Sequence, residues 1–222
     1  MHDLAVIVPA GGTSSRFGGE KNKLQELLAG TTVLQRSVDA FRSRLDVECI
    51  IVAGNLWQEK NNPANTARIE TCPGGPHRAQ SVWNALKCIP TAVEWVAVHD
   101  AARPLISQTL IDRTLAAARK YGAAAPAMPV ALTVKEIQGE HLPARVARTV
   151  PRDKLWSMQT PQIMRRSDLL QAFEQCPNPL AQITDDVQLL ELAGKEVWLV
   201  EGEERNLKIT TKSDLRIAEM WL

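Results

Sequence analysis

Leu4-Ala5-Val6-Ile7-Val8-Pro9-Ala10-Gly11-Gly12-Thr13-Ser14-Ser15-Arg16-Phe17-Gly18-Gly19 sets a glycine-rich loop directly behind an unbroken apolar run. A short apolar run without alternation is the pattern of a strand covered on both faces, as in a parallel sheet. Glycines let the backbone approach a ligand closely, so that successive N–H groups can face phosphate oxygens. At the carboxyl end of a first parallel strand, such a loop stands where open α/β sheets bind ligands. Arg16, Lys21 and Lys23 add positive charge, and residues 9–23 hold four glycines and three cations. The spacing is neither G-x-G-x-x-G nor G-x-x-x-x-G-K-[ST], which disfavours a dinucleotide-binding dehydrogenase and a P-loop ATPase.

Outward from the loop, strand-like runs alternate with helical spacing. Helical periodicity starts at Thr32 with Leu34, Val38, Phe41 and Leu45, and Cys49 to Ala53 reads as a second strand. A third strand is expected over Arg68 to Thr71, a helix through Val82, Ala85, Leu86 and Ile89, and a strand over Trp95 to Val98. Ser107 is placed to cap a helix that runs to Tyr121 and stops at Gly122, ahead of a strand over Ala123 to Met128. Between about 131 and 150 the pattern changes: Thr133 to Ile137 and Arg145 to Val150 flank a polar turn, which predicts a projecting β-hairpin arm. Regular structure resumes with a strand at Leu155 to Met158, a helix over Ser167 to Gln175, and a helix capped by Thr184 and ended by Gly194. Strands over Glu196 to Val200 and Asn206 to Thr210 and a helix from Ser213 complete the reading. This order implies an α/β, Rossmann-like three-layer sandwich with a mainly parallel sheet, formed by residues 1–222 as a single domain.

The 222 residues carry a net charge of +1, with 45% hydrophobic and 23% charged residues. Those values supply an ordinary core and argue against a long polyanion as partner, so no nucleic acid is expected and any anion site is local. No secretory leader or membrane span is read. Cys49, Cys72, Cys88 and Cys176 form no C-x-x-C pair, which argues against a metal site and for a reducing cytoplasmic setting. His99 beside Asp100 points to the opposite face of its strand and reads as a core residue. Trp83, Trp95, Trp156 and Trp198 lie within apolar patterns and are expected in the core. Asp185 and Asp186 suit the first turn of their helix, where the dipole favours carboxylates.

The loop resembles the P-A-A-G-x-G-x-R signature of sugar-nucleotide-forming transferases. Gly74-Gly75-Pro76-His77-Arg78-Ala79-Gln80-Ser81-Val82 matches G-G-x-x-R-x-x-S-V, and Val98-His99-Asp100-Ala101-Ala102-Arg103-Pro104 reproduces V-H-D-A-A-R-P. Thr160-Pro161-Gln162, Ile183-Thr184-Asp185-Asp186 and Asn206-Leu207-Lys208-Ile209-Thr210 follow in order. Over nearly its whole length the chain is thereby similar to the 2-C-methyl-D-erythritol 4-phosphate cytidylyltransferase family.

The resemblance implies a reaction in which a polyol phosphate attacks the α-phosphorus of CTP and releases pyrophosphate. It assigns Arg16 and Lys23 to the triphosphate, with Ala10, Gly11, Gly12 and Ala101 at the nucleotide and Gly75 and Ser81 at the cytosine edge. Asp100 is assigned to the ribose or a metal-bound water, with Mg²⁺ held mainly by phosphates and water. Arg152 and Lys208, with Thr133 and Thr160, are assigned to the second phosphate. The arm is implied to reach a twofold partner, giving a homodimer in which Thr133 and Arg152 face the neighbour's Lys208. Ser14, Pro76, Leu132 and Arg205 depart from the family pattern. Two other readings stay open at this point: a cytidylyltransferase for another polyol phosphate such as ribitol 5-phosphate, and a nucleotide-binding regulator on the same fold.

Overall fold

In the computed structural model, residues 2–12, 17, 22–58 and 66–222 are described; Thr13, Ser14, Ser15, Arg16, Gly18, Gly19 and Lys21 lie outside them. In chain order the strands and helices are β1 (Leu4–Pro9), β2 (Leu27–Leu28), β3 (Thr31–Thr32), α1 (Val33–Arg42), β4 (Val47–Ala53), β5 (Arg68–Cys72), α2 (Arg78–Leu86) and β6 (Trp95–Val98). Then come α3 (Gln108–Tyr121), β7 (Ala123–Pro129), β8 (Val134–Gln138), β9 (Arg145–Val150), β10 (Trp156–Met158), β11 (Gln162–Arg165), α4 (Arg166–Glu174), α5 (Asp186–Leu192), β12 (Trp198–Glu201) and α6 (Lys212–Met220).

Strand β1 lies inside the main sheet between β6 and β4, parallel to both, and β5 extends the sheet beyond β4. Its side chains alternate between two cores, as a two-residue period requires. Leu4, Val6 and Val8 pack in one core with Val38 and Phe41 of α1 and Leu110 and Ile111 of α3. Ala5 and Ile7 join the other with Val82 and Leu86 of α2, Leu169 of α4 and Leu190 of α5. The sheet is therefore the middle layer of three, and the helices owe their places to these two apolar faces. Local chemistry sets their ends: Thr32 caps α1 through the Gln35 N–H at 3.1 Å, and Ser107 caps α3 through the Leu110 N–H at 3.0 Å. Gly122, at φ +98°, closes α3 in a conformation that favours glycine.

The sheet is mainly parallel, as expected, with two antiparallel members: β10 and β11 both run antiparallel to β7, and β11 also runs antiparallel to β6 and fills the space between them. β12 pairs in parallel with β7. Other expectations need correction: Asn206 to Thr210 forms no strand, since Asn206 and Ile209 are buried singly and the Ile209 N–H bonds to Ala102 O at 2.8 Å rather than into a ladder. Asp185, not Thr184, caps α5, because its carboxylate accepts from the Gln188 N–H at 3.1 Å. Helix α6 begins at Lys212, after a reciprocal cap between Thr211 and Asp214. Leu45 lies past the end of α1 and is exposed. Trp156 and Trp198 are nearly half exposed, and Trp198 stacks on Tyr121 with ring centroids 4.0 Å apart.

The hairpin lies where the sequence places it. Among the described residues β8 and β9 pair only with each other, in a two-stranded sheet of their own, with a register shift between Glu136 and Ile137. Both strands are largely exposed. No described helix is long and apolar enough to cross a membrane.

Candidate nucleotide site

The carboxyl ends of β1 and β6 and the start of α2 surround a cavity of about 380 Å³. Gly11 and Gly12 approach from the loop after β1, Gly75 from the turn into α2 and Ser81 from α2 itself, Asp100 and Ala101 from the turn after β6, and Lys23 and Lys208 from two further segments. Close packing of turns shapes this floor. Gly54, at φ +145°, leaves a Cβ no room, since it would lie 2.9 Å from the Ala10 carbonyl. A Cβ on Gly75 would meet Gln80 at 2.4 Å. Ser81 Oγ accepts the Gly75 N–H at 2.9 Å, so its hydroxyl fixes the turn against α2. Asn22 joins the loop to the 3-10 turn carrying Lys23: its Nδ2 donates to Gly12 O at 2.9 Å and its Oδ1 accepts from the Leu24 N–H at 3.0 Å.

Charge concentrates around Asp100. Its carboxylate lies 2.9 Å from Lys208 Nζ, 3.1 Å from Arg78 Nε and 3.5 Å from Arg103 Nε. Burial alone would push this carboxyl up, but Arg78, Lys208 and Arg103 outweigh it and hold it well below the usual carboxylate range. Arg78 in turn reaches Asp186 at 2.7 Å. Burial works against the Arg78 charge, yet Asp186 and Asp100 together raise its pKa further. Asp186 is fully buried, and desolvation pushes its own pKa upward against the pull of Arg78.

Beneath Asp100, His99 and Thr160 form a buried relay. Arg103 O can only accept, so His99 Nε2 donates to it at 3.1 Å. The neutral ring then accepts at Nδ1 from the Thr160 hydroxyl at 3.1 Å, and Thr160 Oγ1 accepts the Asp100 N–H at 3.0 Å. Burial pushes the His99 pKa down to about 4. A histidine depressed in the folded state binds its proton more readily when unfolded, so its contribution is complete above the ordinary value of 6.5 and is lost as pH falls towards about 4. The expected cost over that window is about 3 kcal/mol. Urea unfolding between pH 7 and 4 measures it, with His99→Gln removing the slope; an unchanged slope in the variant would count against this assignment.

The predicted residues divide into groups. Gly11, Gly12, Lys23, Gly75, Ser81, Asp100, Ala101 and Lys208 line one cavity. Ala10 lies behind it, buried, with its N–H on Ala53 O at 2.8 Å. Thr160 lies under Asp100 and is buried. Thr133 and Arg152 are exposed at the root of the hairpin, where the Arg152 guanidinium donates to Ala131 O. Arg16 falls outside the described residues. Asp186 stands in the first turn of its helix, as the sequence suggests, and is in addition an ion-pair partner of Arg78. Arg78 and Arg103 sit inside the G-G-x-x-R-x-x-S-V and V-H-D-A-A-R-P motifs, whose spacing alone gives neither a role, and Asn22 carries no signal beyond its nearness to Lys23.

A glycine loop at the carboxyl ends of parallel strands, facing a carboxylate ringed by cations, defines a nucleotide-binding α/β protein. The family model for 2-C-methyl-D-erythritol 4-phosphate cytidylyltransferase matches residues 4–222. A protein of that description from Bacillus thuringiensis is 38% identical over 98% of this chain and 96% of its own. Another from Desulforamulus reducens is 34% identical over 100% of this chain and 97% of its own. The crystal structure of the Francisella tularensis protein aligns with a TM-score of 0.84 at 32% identity, covering 99% of this chain and 100% of that one. The chain belongs to the 2-C-methyl-D-erythritol 4-phosphate cytidylyltransferase family.

Proposed function

We propose that this chain joins CTP and 2-C-methyl-D-erythritol 4-phosphate, giving the cytidine diphosphate derivative and pyrophosphate, a step of isoprenoid precursor synthesis. Family membership supports the activity, and the observation that ties it to particular atoms is the shared cavity of Gly11, Gly12, Gly75, Ser81, Lys23, Asp100 and Lys208. A phosphate monoester has a second pKa of about 6 and is mostly dianionic at neutral pH, so the nucleophile needs no general base. Its oxygen attacks the α-phosphorus, a new P–O bond forms, and the bond to the β-phosphate oxygen breaks. The protein's work is alignment and charge neutralisation. In this reading Gly11 and Gly12 present backbone to the triphosphate, Gly75 and Ser81 meet the base, and Arg16 and Lys23 balance the charge at phosphorus.

Among the described residues no group of three or more His, Cys, Asp or Glu side chains could hold a metal ion. In this reading Mg²⁺ is held chiefly by phosphate oxygens and water, and Asp100 is the carboxylate among the described residues that line the cavity. When bound, Mg²⁺ supplies neutralisation of phosphate charge.

The polyol phosphate falls to Lys208, with Thr160 behind it and Thr133 and Arg152 contributed by a second protomer. A lone two-stranded hairpin is marginal in water, and the isolated pairing of β8 with β9 supports a homodimer joined through this arm. The four free cysteines support a cytoplasmic setting.

The test is pyrophosphate release from CTP with methylerythritol 4-phosphate or ribitol 5-phosphate supplied separately, with Lys23→Ala as the control. Release with the methylerythritol phosphate, lost in the variant, is expected. Release with ribitol phosphate alone would overturn the substrate while leaving the reaction type standing.

A further inference from the structure

Asp186 is a fully buried carboxylate. Neither of its oxygens has a hydrogen bond of good geometry, and its partner is the Arg78 Nη2 at 2.7 Å. Helix-capping leaves it free for this: Asp185 already caps α5. The N-terminus of α5 is itself held to the sheet, because Gln162 Oε1 accepts the N–H groups of Asp186 and Val187 at 2.8 and 3.1 Å. Gln162 Nε2 also donates to Asp185 at 3.0 Å. The position of Asp186 is thus set by strand β11, not by solvent.

Arg78 spans two carboxylates, with Nε on Asp100 and Nη2 on Asp186. A planar guanidinium held at two points cannot turn about its stem, whereas one held at a single point can. Asp100 depends on that orientation, since Arg78 grips Oδ1 while Lys208 and Arg103 lie at Oδ2. The line of contacts therefore runs from α5 through α2 to the carboxylate in the cavity, and from there to the Lys208 ammonium.

We propose that Asp186 is a positioning residue for the transfer reaction: through Arg78 it fixes the orientation of Asp100, and with it the place of the Lys208 ammonium. The inference rests on the cytidylyltransferase reading. Backbone contacts from Gly11, Gly12 and Gly75 do not pass through this line, so nucleotide binding survives its loss while alignment suffers. Misplacement by about 1 Å costs on the order of 100-fold in rate.

The experiment compares wild type, Asp186→Asn, Arg78→Lys and the double variant, measuring kcat and KM in the pyrophosphate assay and CTP affinity by calorimetry. Arg78→Lys keeps the charge but cannot bridge two carboxylates. Each single variant is expected to lower kcat about 30- to 100-fold, with KM for CTP and CTP affinity within about threefold, and the double variant to be no worse than the poorer single. Wild-type kcat in Asp186→Asn, or single effects that multiply in the double variant, would overturn the proposal. If Asp186→Asn does not fold, Arg78→Lys decides: a fall in kcat at constant CTP affinity supports it, and unchanged kcat sinks it. An inactive wild type that binds CTP would instead refute the reaction assigned above.

Discussion

Asp100→Asn is expected to lower pyrophosphate release by at least about a thousandfold and to cost about 3–5 kcal/mol of stability. The substitution is nearly isosteric, so packing is kept and the effect is electrostatic. In the wild type one buried carboxylate faces Arg78, Lys208 and Arg103. An amide leaves those cations to repel one another at a poorly hydrated site, and breaking a buried pair from one side leaves uncompensated charge. Arg78 retains Asp186, but Arg103, which is 8% exposed, has no second carboxylate partner among the described residues. Urea unfolding and the pyrophosphate assay measure the two effects. A variant within about 0.5 kcal/mol of wild type would show that the cations, not the carboxylate, organise this corner.

Lys208→Ala should separate chemistry from stability. Lys208 is 40% exposed at its side chain, and Asp100 keeps two other cations when it is gone. The stability change should therefore stay under about 1 kcal/mol, as for other partly exposed pairs. Activity should nevertheless fall about 100- to 1000-fold, because a charge donor aimed into a reacting site is worth that much. Under the reading above, KM for the polyol phosphate rises while KM for CTP holds. A rise confined to CTP would reassign Lys208 to the nucleotide and leave the second phosphate without its proposed cation.

The first half of the chain was largely legible from sequence, and for a physical reason. Strands β1, β4 and β6 are covered on both faces, so Leu4 to Val8, Cys49 to Ala53 and Trp95 to Val98 are unbroken apolar runs that no solvent face interrupts. Ser107 and Gly122 mark α3 with a cap and a stop that act within three or four residues. Legibility falls where neighbours are distant. β11 opens with buried Gln162, a polar residue whose partners lie on α5 more than twenty positions away. β12 has the composition of a core strand, but among the described residues it pairs with β7 alone, and the Trp198 indole covers Tyr121 instead of entering the interior.

The site divides in the same way. Glycines and lysines of the loop announce themselves because they are close neighbours in sequence. The ion pairs do not: Arg78 meets Asp100 and Asp186 from different elements, and Arg103 Nη1 reaches Asn206 O at 2.6 Å across 103 positions. No periodicity encodes such a meeting. Asp186 illustrates the trap, since an acid in a first helical turn has an adequate local explanation and so hides a tertiary one.

The antiparallel strand β11 has a consequence for the order in which this molecule can be made. It stands between β6 and β7, so a nascent chain that ends before residue 162 has nothing to set between them. Until then both strands offer unpaired edges, the condition that invites wrong pairing. Asn206 and Lys208 emerge later still, Asn206 to donate to Thr160 O at 2.8 Å. The ribosome thus delivers the glycine loop first and Lys208, a cation lining the same cavity, close to last.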